Sequence, residues 1–157
     1  VVGLGTNLGD RIQNLRDALA SIDRVVQTRV VRCCRIYESK PYGYAAQGDF
    51  LNMAAELDTD LQPEALLGTL LGIEAGLGRV REFKNGPRVI DLDLLAVKGF
   101  ISNTPYLRLP HPEMCNRSFV LLPLADLYPA GDALGFPFAD ALSRISKDDI
   151  HLFAESL

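Results

Sequence analysis

The stretch from Gly86 to Val97 reads Gly-Pro-Arg-Val-Ile-Asp-Leu-Asp-Leu-Leu-Ala-Val. Its Gly-Pro pair is typical of a turn, and the short aliphatic and β-branched run that follows is typical of a strand. Because side chains alternate between the faces of a strand, Asp91 and Asp93 should share one face, about 7 Å apart along the backbone. The other face should carry four apolar residues: Ile90, Leu92, Leu94 and Ala96. The strand therefore belongs to the core and still presents two carboxylates.

Two neighbouring carboxylates on such a strand repel each other and are costly to remove from water. We therefore predict a positively charged partner for the two carboxylates. Hard divalent cations, which take oxygen ligands, are one possibility. Arginines are the other, and Arg79 and Arg88 precede the strand.

Length and composition predict one globular domain over residues 1–157, since 48% of the residues are hydrophobic and 23% are charged. The net charge of -4 argues against a nucleic-acid partner or an anionic membrane surface. No apolar run is long enough to span a membrane. Three cysteines form no disulfide framework, so we expect a reducing cytoplasm. We also expect a monomer. Because the sequence starts at Val1 in a strand-like segment, we also expect further residues before it.

Hydrophobic periodicity predicts alternating strands and helices along most of the chain. The strands are predicted at Val1–Gly5, Val25–Tyr37, Phe50–Asp58 and the segment after Gly86; the helices are predicted at Asp10–Ile22 and from Pro63 to Gly76–Gly78. This order is that of the ferredoxin-like βαββαβ fold, an α+β arrangement with an antiparallel sheet and both helices on one face. A C-terminal hairpin, a helix ending at Leu127 and a short helix near Phe138–Ile145 should follow.

Two nucleotide-binding motifs are excluded or disfavoured by spacing. The glycines at positions 3, 5 and 9 do not have the spacing of a dinucleotide fingerprint, so we interpret them as turn and close-packing residues. The sequence has no P-loop motif. Asn52, on an otherwise apolar strand, is either a satisfied core residue or a ligand contact, and the residues alone slightly favour the core interpretation.

The connection before the aspartate strand is basic, although the chain as a whole is acidic. Its basic residues are Arg79, Arg81, Lys84 and Arg88, beside the single acid Glu82. Mg²⁺ binds one or two carboxylates together with substrate phosphates, and basic side chains neutralise the charge that develops on those phosphates. The residues therefore predict phosphoryl-type transfer from a nucleotide.

Three motifs extend this prediction. They are Gly78-Arg-Val-Arg81, the Gly86 stretch through Leu95, and Leu109-Pro-His-Pro-Glu-Met-Cys-Asn-Arg-Ser-Phe119. Together with the Gly3–Gly9 segment and Phe50-Leu-Asn52, they resemble the 6-hydroxymethyl-7,8-dihydropterin pyrophosphokinase family over nearly the whole chain. The resemblance implies an ATP-dependent enzyme of folate synthesis that transfers diphosphate to a reduced pterin and releases AMP.

The resemblance also implies roles for individual residues. Asp91 and Asp93 would hold two Mg²⁺ ions, and Arg79 and Arg88 would be catalytic together with them. The ATP-binding positions would be Glu74, Arg79, Arg81, Lys84, Arg88, Leu94, His111 and Arg117. The pterin-binding positions would be Ser39, Tyr42, Gly43, Phe50, Asn52 and Phe119, because a flat heterocycle needs an amide for its polar edge and an aromatic ring to stack on.

Loops 39–49 and 80–88 resemble the mobile lids of the family, which close to exclude water. Some members carry a Trp shortly before the Gly-Pro-Arg turn, where this sequence has Lys84-Asn85. The aromatic contact of the lid is therefore either missing or replaced by Phe83. Lys84 lies where members of the family can carry an arginine. Its ammonium group is a point charge, whereas a guanidinium group can form two parallel hydrogen bonds.

The sequence disfavours two other functions. A polymerase- or cyclase-like palm also places metal-binding aspartates on a ferredoxin-like sheet, but it needs a longer chain and gives no reason for Asn52, His111 or Phe119. An RNA-binding module is disfavoured by the sequence pI of about 5.1 and by the absence of an aromatic Lys/Arg-Gly-Phe-x-Phe strand.

Overall fold

The computed structural model describes residues 1–80, 83 and 85–157. Its helices are α1 (Arg11–Asp23), α2 (Pro63–Gly76), α3 (Ser118–Leu127) and α4 (Ala139–Arg144). Its strands are β1 (Val2–Thr6), β2 (Thr28–Cys33), β3 (Ile36–Ser39), β4 (Phe50–Thr59), β5 (Asp91–Leu94), β6 (Ser102–Asn103), β7 (Arg108–Leu109), β8 (Asp132–Ala133), β9 (Phe136–Pro137) and β10 (Ile150–Ala154). The described part of the chain has no helix that is long and apolar enough to cross a membrane.

The main sheet is antiparallel, and its strand order is β10-β3-β4-β1-β5. Strand β2 also pairs with β4, using the half of β4 that β3 leaves free. Strand β1 lies between β4 and β5, with Gly5 opposite both Asn52 and Asp91. Strand β1 therefore lies between the strand that carries Asn52 and the strand that carries Asp91.

Helices α1 and α2 contact each other and pack on the sheet. Asp10 caps α1 by accepting a hydrogen bond from the Gln13 backbone N–H, and Pro63 occupies the first turn of α2. Each helix buries a stripe of residues at helical spacing; the stripes are Leu15, Ala18 and Ile22 on α1 and Leu66, Leu70 and Glu74 on α2. The buried Glu74 is the exception to an apolar stripe, and it lies beside the candidate site.

Helix α3 contacts β3 and β4 and buries Leu121, Leu124 and Leu127. The hairpins β6–β7 and β8–β9 and the short helix α4 complete the C-terminal part. The predicted helices ending at Leu127 and near Phe138–Ile145 are therefore confirmed, to within one or two residues.

The predicted single strand Val25–Tyr37 is wrong in one respect, because it is divided into β2 and β3. At the division, the Cys34 thiol donates to the Arg35 carbonyl and accepts from the Ala54 backbone N–H. Burial raises the pKa of Cys34 to about 12. A buried thiol that bonds the backbone in this way stabilises a break that strand propensity does not reveal.

The C-terminal residues form a strand that hydrophobic periodicity does not predict. Residues Ile150–Ala154 form β10, which pairs with β3 and places His151 opposite Glu38. The His151 imidazole Nε2 lies 3.3 Å from a Glu38 carboxylate oxygen. The pairing joins segments more than a hundred residues apart, so local sequence carries little signal for it.

Candidate active site

The sheet register places the predicted site residues on one face. Asp93 lies opposite Gly3 and Asp91 lies opposite Gly5 across the β5–β1 pair. On the other side of β1, Gly5 lies opposite Asn52. Side chains of residues directly opposite each other project from the same face, so the aspartates of β5 and the amide of β4 face the same side.

Gly5 keeps the space between these side chains open. A Cβ atom added at Gly5 would lie 3.6 Å from the Asn52 side-chain oxygen and 3.9 Å from the Asp91 Cβ. A residue larger than glycine would therefore fill the space between the Asn52 and Asp91 side chains. The sequence analysis assigned the glycines to turns and close packing and missed this role; their alternation along a strand, Gly3 and Gly5, was the available signal.

Two clefts open on this face. The first, the apolar cleft, is lined mainly by β1, β3, β4 and α3, with Ser39, Tyr42, Phe50, Asn52 and Phe119 in its wall. The second, the polar cleft, is lined by residues 79–80, 83, 85–88, 91, 93, 111 and 117. Both clefts share five residues: Asn85, Arg88, Asp91, Asp93 and Arg117. The two aspartates thus form the boundary between an aromatic pocket and a basic one.

Asp91 is held by two arginines. One Oδ atom lies 2.5 Å from a guanidinium nitrogen of Arg79, and the other lies 2.5 Å from a guanidinium nitrogen of Arg88. The Arg79 guanidinium also contacts the Glu74 carboxylate, which in turn accepts the Leu92 backbone N–H at 2.6 Å. Glu74 therefore satisfies a donor on the free edge of β5 and fixes Arg79 against Asp91 at the same time.

Asp93 has a different environment. No residue in the described part of the chain forms a hydrogen bond or ion pair with its carboxylate. Burial raises the pKa of Asp93, and the neighbouring Asp91 carboxylate raises it further. A partly buried carboxylate without a partner, beside a second carboxylate, fits a hard cation that prefers oxygen ligands.

The described residues contain no group of three or more His, Cys, Asp and Glu side chains that could hold a metal ion. A cation at Asp91 and Asp93 would therefore take its remaining ligands from water and substrate. That is the usual way in which Mg²⁺ binds at sites for phosphorylated substrates.

The His111 ring is oriented by its own turn. Its backbone N–H donates to the Leu95 carbonyl at 2.7 Å, and its Nδ1 accepts the Glu113 backbone N–H at 3.2 Å. A neutral ring with an accepting Nδ1 carries its proton on Nε2, so the other nitrogen is left as a donor. His111 lines the polar cleft, where such a donor suits an anionic group.

The apolar cleft combines an anchored amide with aromatic rings. The Asn52 side-chain NH₂ donates to Ser39 Oγ at 2.9 Å and, more weakly, to the Phe50 carbonyl at 3.3 Å. The amide is therefore oriented by its donors, which directs its oxygen away from them. The Tyr42 and Phe119 rings lie 6.4 Å apart at an interplanar angle of 58°. Such a wall suits a flat, polar-edged ring system.

Arg117 lies where the aromatic rings meet the polar cleft. Its guanidinium carbon is 5.4 Å from the Tyr42 ring centroid and 5.7 Å from that of Phe119. Its Nε is buried, and no described residue accepts a hydrogen bond from it. The guanidinium thus contacts the aromatic wall and keeps donors for a ligand at the boundary between the clefts.

Some predicted site residues lie elsewhere. Leu94 is buried in the hydrophobic core, and Glu74 is enclosed by its contacts to Arg79 and Leu92, so neither lines the two clefts. Gly43 does not line them either, but it lies against the Asn85 side chain. Arg81 and Lys84 are outside the described residues. Their assignment to ATP stays a prediction.

The sequence of this chain is similar to those of a family of known proteins. The family model described as 7,8-dihydro-6-hydroxymethylpterin-pyrophosphokinase (HPPK) matches residues 1–129. A 2-amino-4-hydroxy-6-hydroxymethyldihydropteridine pyrophosphokinase from Methylorubrum extorquens is 41% identical over 149 residues, which are 95% of this chain and 94% of that protein. The protein of the same name from Bacillus subtilis is 44% identical over 126 residues, 80% of this chain and 75% of that one.

Other similar proteins are longer than this chain. The folic acid synthesis protein FOL1 of Dictyostelium discoideum is 42% identical over 128 residues, which are 82% of this chain and 19% of that protein. A crystal structure described as HPPK-DHPS in complex with substrates superposes with a TM-score of 0.64 at 14% identity, covering 90% of this chain and 42% of that chain. That likeness concerns the fold: a mixed α and β structure with an antiparallel sheet and four helices. The family model and the full-length relatives together show that this chain belongs to the 7,8-dihydro-6-hydroxymethylpterin-pyrophosphokinase family, a family of ATP-dependent pyrophosphotransferases.

Proposed function

We propose that this chain transfers a diphosphate group from ATP to the hydroxymethyl oxygen of 6-hydroxymethyl-7,8-dihydropterin. The bond between the β-phosphorus and the oxygen that bridges it to the α-phosphate is replaced by a bond from the β-phosphorus to the pterin oxygen, and the bridging oxygen stays with AMP. The alcohol loses its proton, and AMP leaves. Membership of the pyrophosphokinase family and the names of the relatives support this reaction.

The observation that carries the proposal is the shared boundary of the two clefts. An aromatic, amide-bearing cleft suits a pterin, and a basic cleft suits a polyphosphate. Because Asp91 and Asp93 belong to both walls, a hydroxyl group from the first cleft and a phosphate from the second would meet beside these carboxylates. Such juxtaposition supplies much of the rate of a two-substrate reaction.

Asp91 and Asp93 are the residues that would hold Mg²⁺, two ions in the form that we propose. When bound, such ions neutralise charge on the phosphates and orient the attacking and leaving oxygens. The Asp93 carboxylate, with which no described residue forms a hydrogen bond or ion pair, supports this assignment, as does the oxygen-only chemistry of the two aspartates.

The basic residues of the polar cleft would bind the phosphates. Arg79 and Arg88 are preorganised by Asp91, so their remaining N–H groups are directed without further loss of side-chain freedom. His111 and Arg117, which line the same cleft, offer further donors. In the apolar cleft, Asn52 would recognise the polar edge of the pterin, and Phe119 would stack on it.

We also infer the ferredoxin-like form of the fold and a single domain over residues 1–157. The strand order β10-β3-β4-β1-β5, with helices α1 and α2 in mutual contact, supports the first inference. A monomer that acts on small molecules in a reducing cytoplasm is consistent with three free cysteines.

The direct test is a reaction that contains the protein, MgCl₂, ATP and hydroxymethyldihydropterin. We expect AMP and the pterin diphosphate in equal amounts, separated by ion-exchange chromatography, and no turnover when EDTA is added. Formation of ADP, or no product at all, would contradict the proposed function.

A substitution in the apolar cleft should separate the two substrates. In Asn52→Ala we expect the KM for the pterin to increase about tenfold, because one or two hydrogen bonds of roughly 1 kcal/mol each are lost, while the KM for ATP stays unchanged. Steady-state kinetics with each substrate varied measures this. Asn103→Ala, an exposed amide on β6, is the matched control. Equal changes in both KM values would remove Asn52 from the pterin pocket.

A further inference from the structure

Two amide side chains outside the predicted site, Asn7 and Gln47, connect the loops that surround it. Asn7 follows β1, and Gln47 lies in the loop between β3 and β4. Neither residue is charged, and neither is among the predicted catalytic, metal-binding, ATP-binding or pterin-binding residues. The contacts between them nevertheless join three segments that are distant in the chain.

Asn7 uses both ends of its amide. Its side-chain oxygen accepts the Arg88 backbone N–H at 2.8 Å, while its NH₂ donates to Gln47 Oε1 at 2.9 Å and to the Gly48 carbonyl at 3.0 Å. Its backbone N–H also donates to the Arg88 carbonyl at 3.1 Å. The residue is only 8% exposed, so these contacts replace water. Two hydrogen bonds therefore join Asn7 to the backbone of Arg88, one at its N–H and one at its carbonyl.

Gln47 extends the connection. Its Oε1 accepts from Asn7, and its NH₂ donates to the carbonyls of Tyr44 and Asn85, each at 2.8 Å. The Tyr44 ring meets the Phe83 ring edge-on, with centroids 5.0 Å apart. The loop between β3 and β4 is thus joined by polar and aromatic contacts to the segment that precedes β5.

We propose that Asn7 and Gln47 are positioning residues that hold Arg88 in place and keep the two loops together over the boundary of the clefts. This inference rests on the proposed function, because Arg88 is assigned there to the phosphates. The Arg88 guanidinium contacts Asp91 and lies 5.9 Å from the Phe50 ring centroid, so a small displacement of its backbone would move it relative to both substrates. Misplacement of about 1 Å can reduce a rate by roughly two orders of magnitude.

The chemistry requires amides at both positions. Each side chain accepts one hydrogen bond and donates two within the described residues, which a carboxylate or an aliphatic group cannot do. Asn7→Asp keeps the acceptor for Arg88 and loses both donated bonds. Gln47→Glu likewise keeps the acceptor for Asn7 and loses the two carbonyl contacts.

The experiment compares Asn7→Asp, Asn7→Ala, Gln47→Glu and Gln47→Ala with the wild type and with Gln13→Ala, whose side chain bonds only Asp17 on the exposed surface of α1. In all four variants we expect kcat to fall at least tenfold, with a KM for ATP within a factor of two of the wild type. Amide hydrogen exchange by NMR should become about tenfold faster at Arg88 in Asn7→Ala, and it should stay slow in Asn7→Asp. Gln13→Ala should match the wild type in both measurements.

The proposal is overturned if Asn7→Asp and Gln47→Ala keep the wild-type kcat, or if Arg88 exchange is unchanged in Asn7→Ala. Because Gln47 lies in a surface loop, the kcat of Gln47→Ala tests the proposal even if Asn7→Ala fails to fold. A wild-type protein that forms no AMP would contradict the proposed function. Amide hydrogen exchange in the ligand-free protein would still show whether Asn7 holds the backbone of Arg88.

Discussion

Asp93→Asn should lower kcat about 1,000-fold, which corresponds to the loss of roughly 4 kcal/mol of transition-state stabilisation. The reason is electrostatic. Asp93 is the carboxylate at the boundary of the two clefts that no described residue neutralises, whereas Asp91 already has two arginines. A neutral amide of the same shape would leave the cation with too little negative charge.

The same substitution should leave the protein folded. Burial and the Asp91 carboxylate both disfavour the charged form of Asp93, so replacing it with an amide removes a repulsion from the native state. We therefore expect a Tm equal to or above that of the wild type in the absence of Mg²⁺ and ATP. The Kd for the pterin, measured by calorimetry, should change less than threefold.

The matched control is Asp58→Asn, which removes an exposed carboxylate from the far end of β4, where it pairs with Arg29. Exposed pairs contribute about 0.2–1 kcal/mol, so this variant should keep its activity. Normal turnover in Asp93→Asn would remove the metal assignment. A loss of activity that merely follows a lower Tm would show that Asp93 has a structural role instead.

The position of the aspartates is the part of the site that the sequence predicts best. Alternation along a strand places Asp91 and Asp93 on one face, and the pairing of β5 with β1 confirms it. The prediction succeeds because a period of two depends only on local backbone geometry. Arg88 is similarly close to Asp91 because it lies only three residues before it in the chain. Arg79 instead follows the end of α2, and Glu74 fixes it against Asp91.

Residues whose role depends on contacts between distant segments were harder to predict. Glu74 was assigned to the nucleotide, but its carboxylate is occupied by Arg79 and the Leu92 N–H. Its amphipathic helix was predicted correctly; which strand edge the helix covers is a tertiary property. The bridge formed by Asn7 and Gln47 has the same origin, since each amide is an ordinary loop residue until the loops meet.

Arg79→Met should destabilise the protein by about 3 kcal/mol, the lower end of the cost of breaking a buried ion pair by removing one partner. The Arg79 and Glu74 side chains are only 8% and 4% exposed. Without the guanidinium, the Glu74 carboxylate stays buried with only the Leu92 N–H beside it. Asp91 also loses one of its two cations. Urea denaturation followed by circular dichroism measures the change in the free energy of unfolding.

A second substitution separates stability from catalysis. In the double variant Glu74→Gln/Arg79→Met, both charges are removed and the Gln oxygen can still accept the Leu92 N–H, so we expect at least half of the lost stability to return. Activity should not return, because Arg79 is also assigned to the phosphates; kcat/KM should stay at least 100-fold below the wild type. Recovery of both stability and activity would mean that Arg79 acts only by supporting the edge of β5. An unchanged free energy of unfolding in Arg79→Met would mean that the buried pair contributes nothing, and the role of Glu74 would then have to be sought in the nucleotide site, as the sequence first suggested.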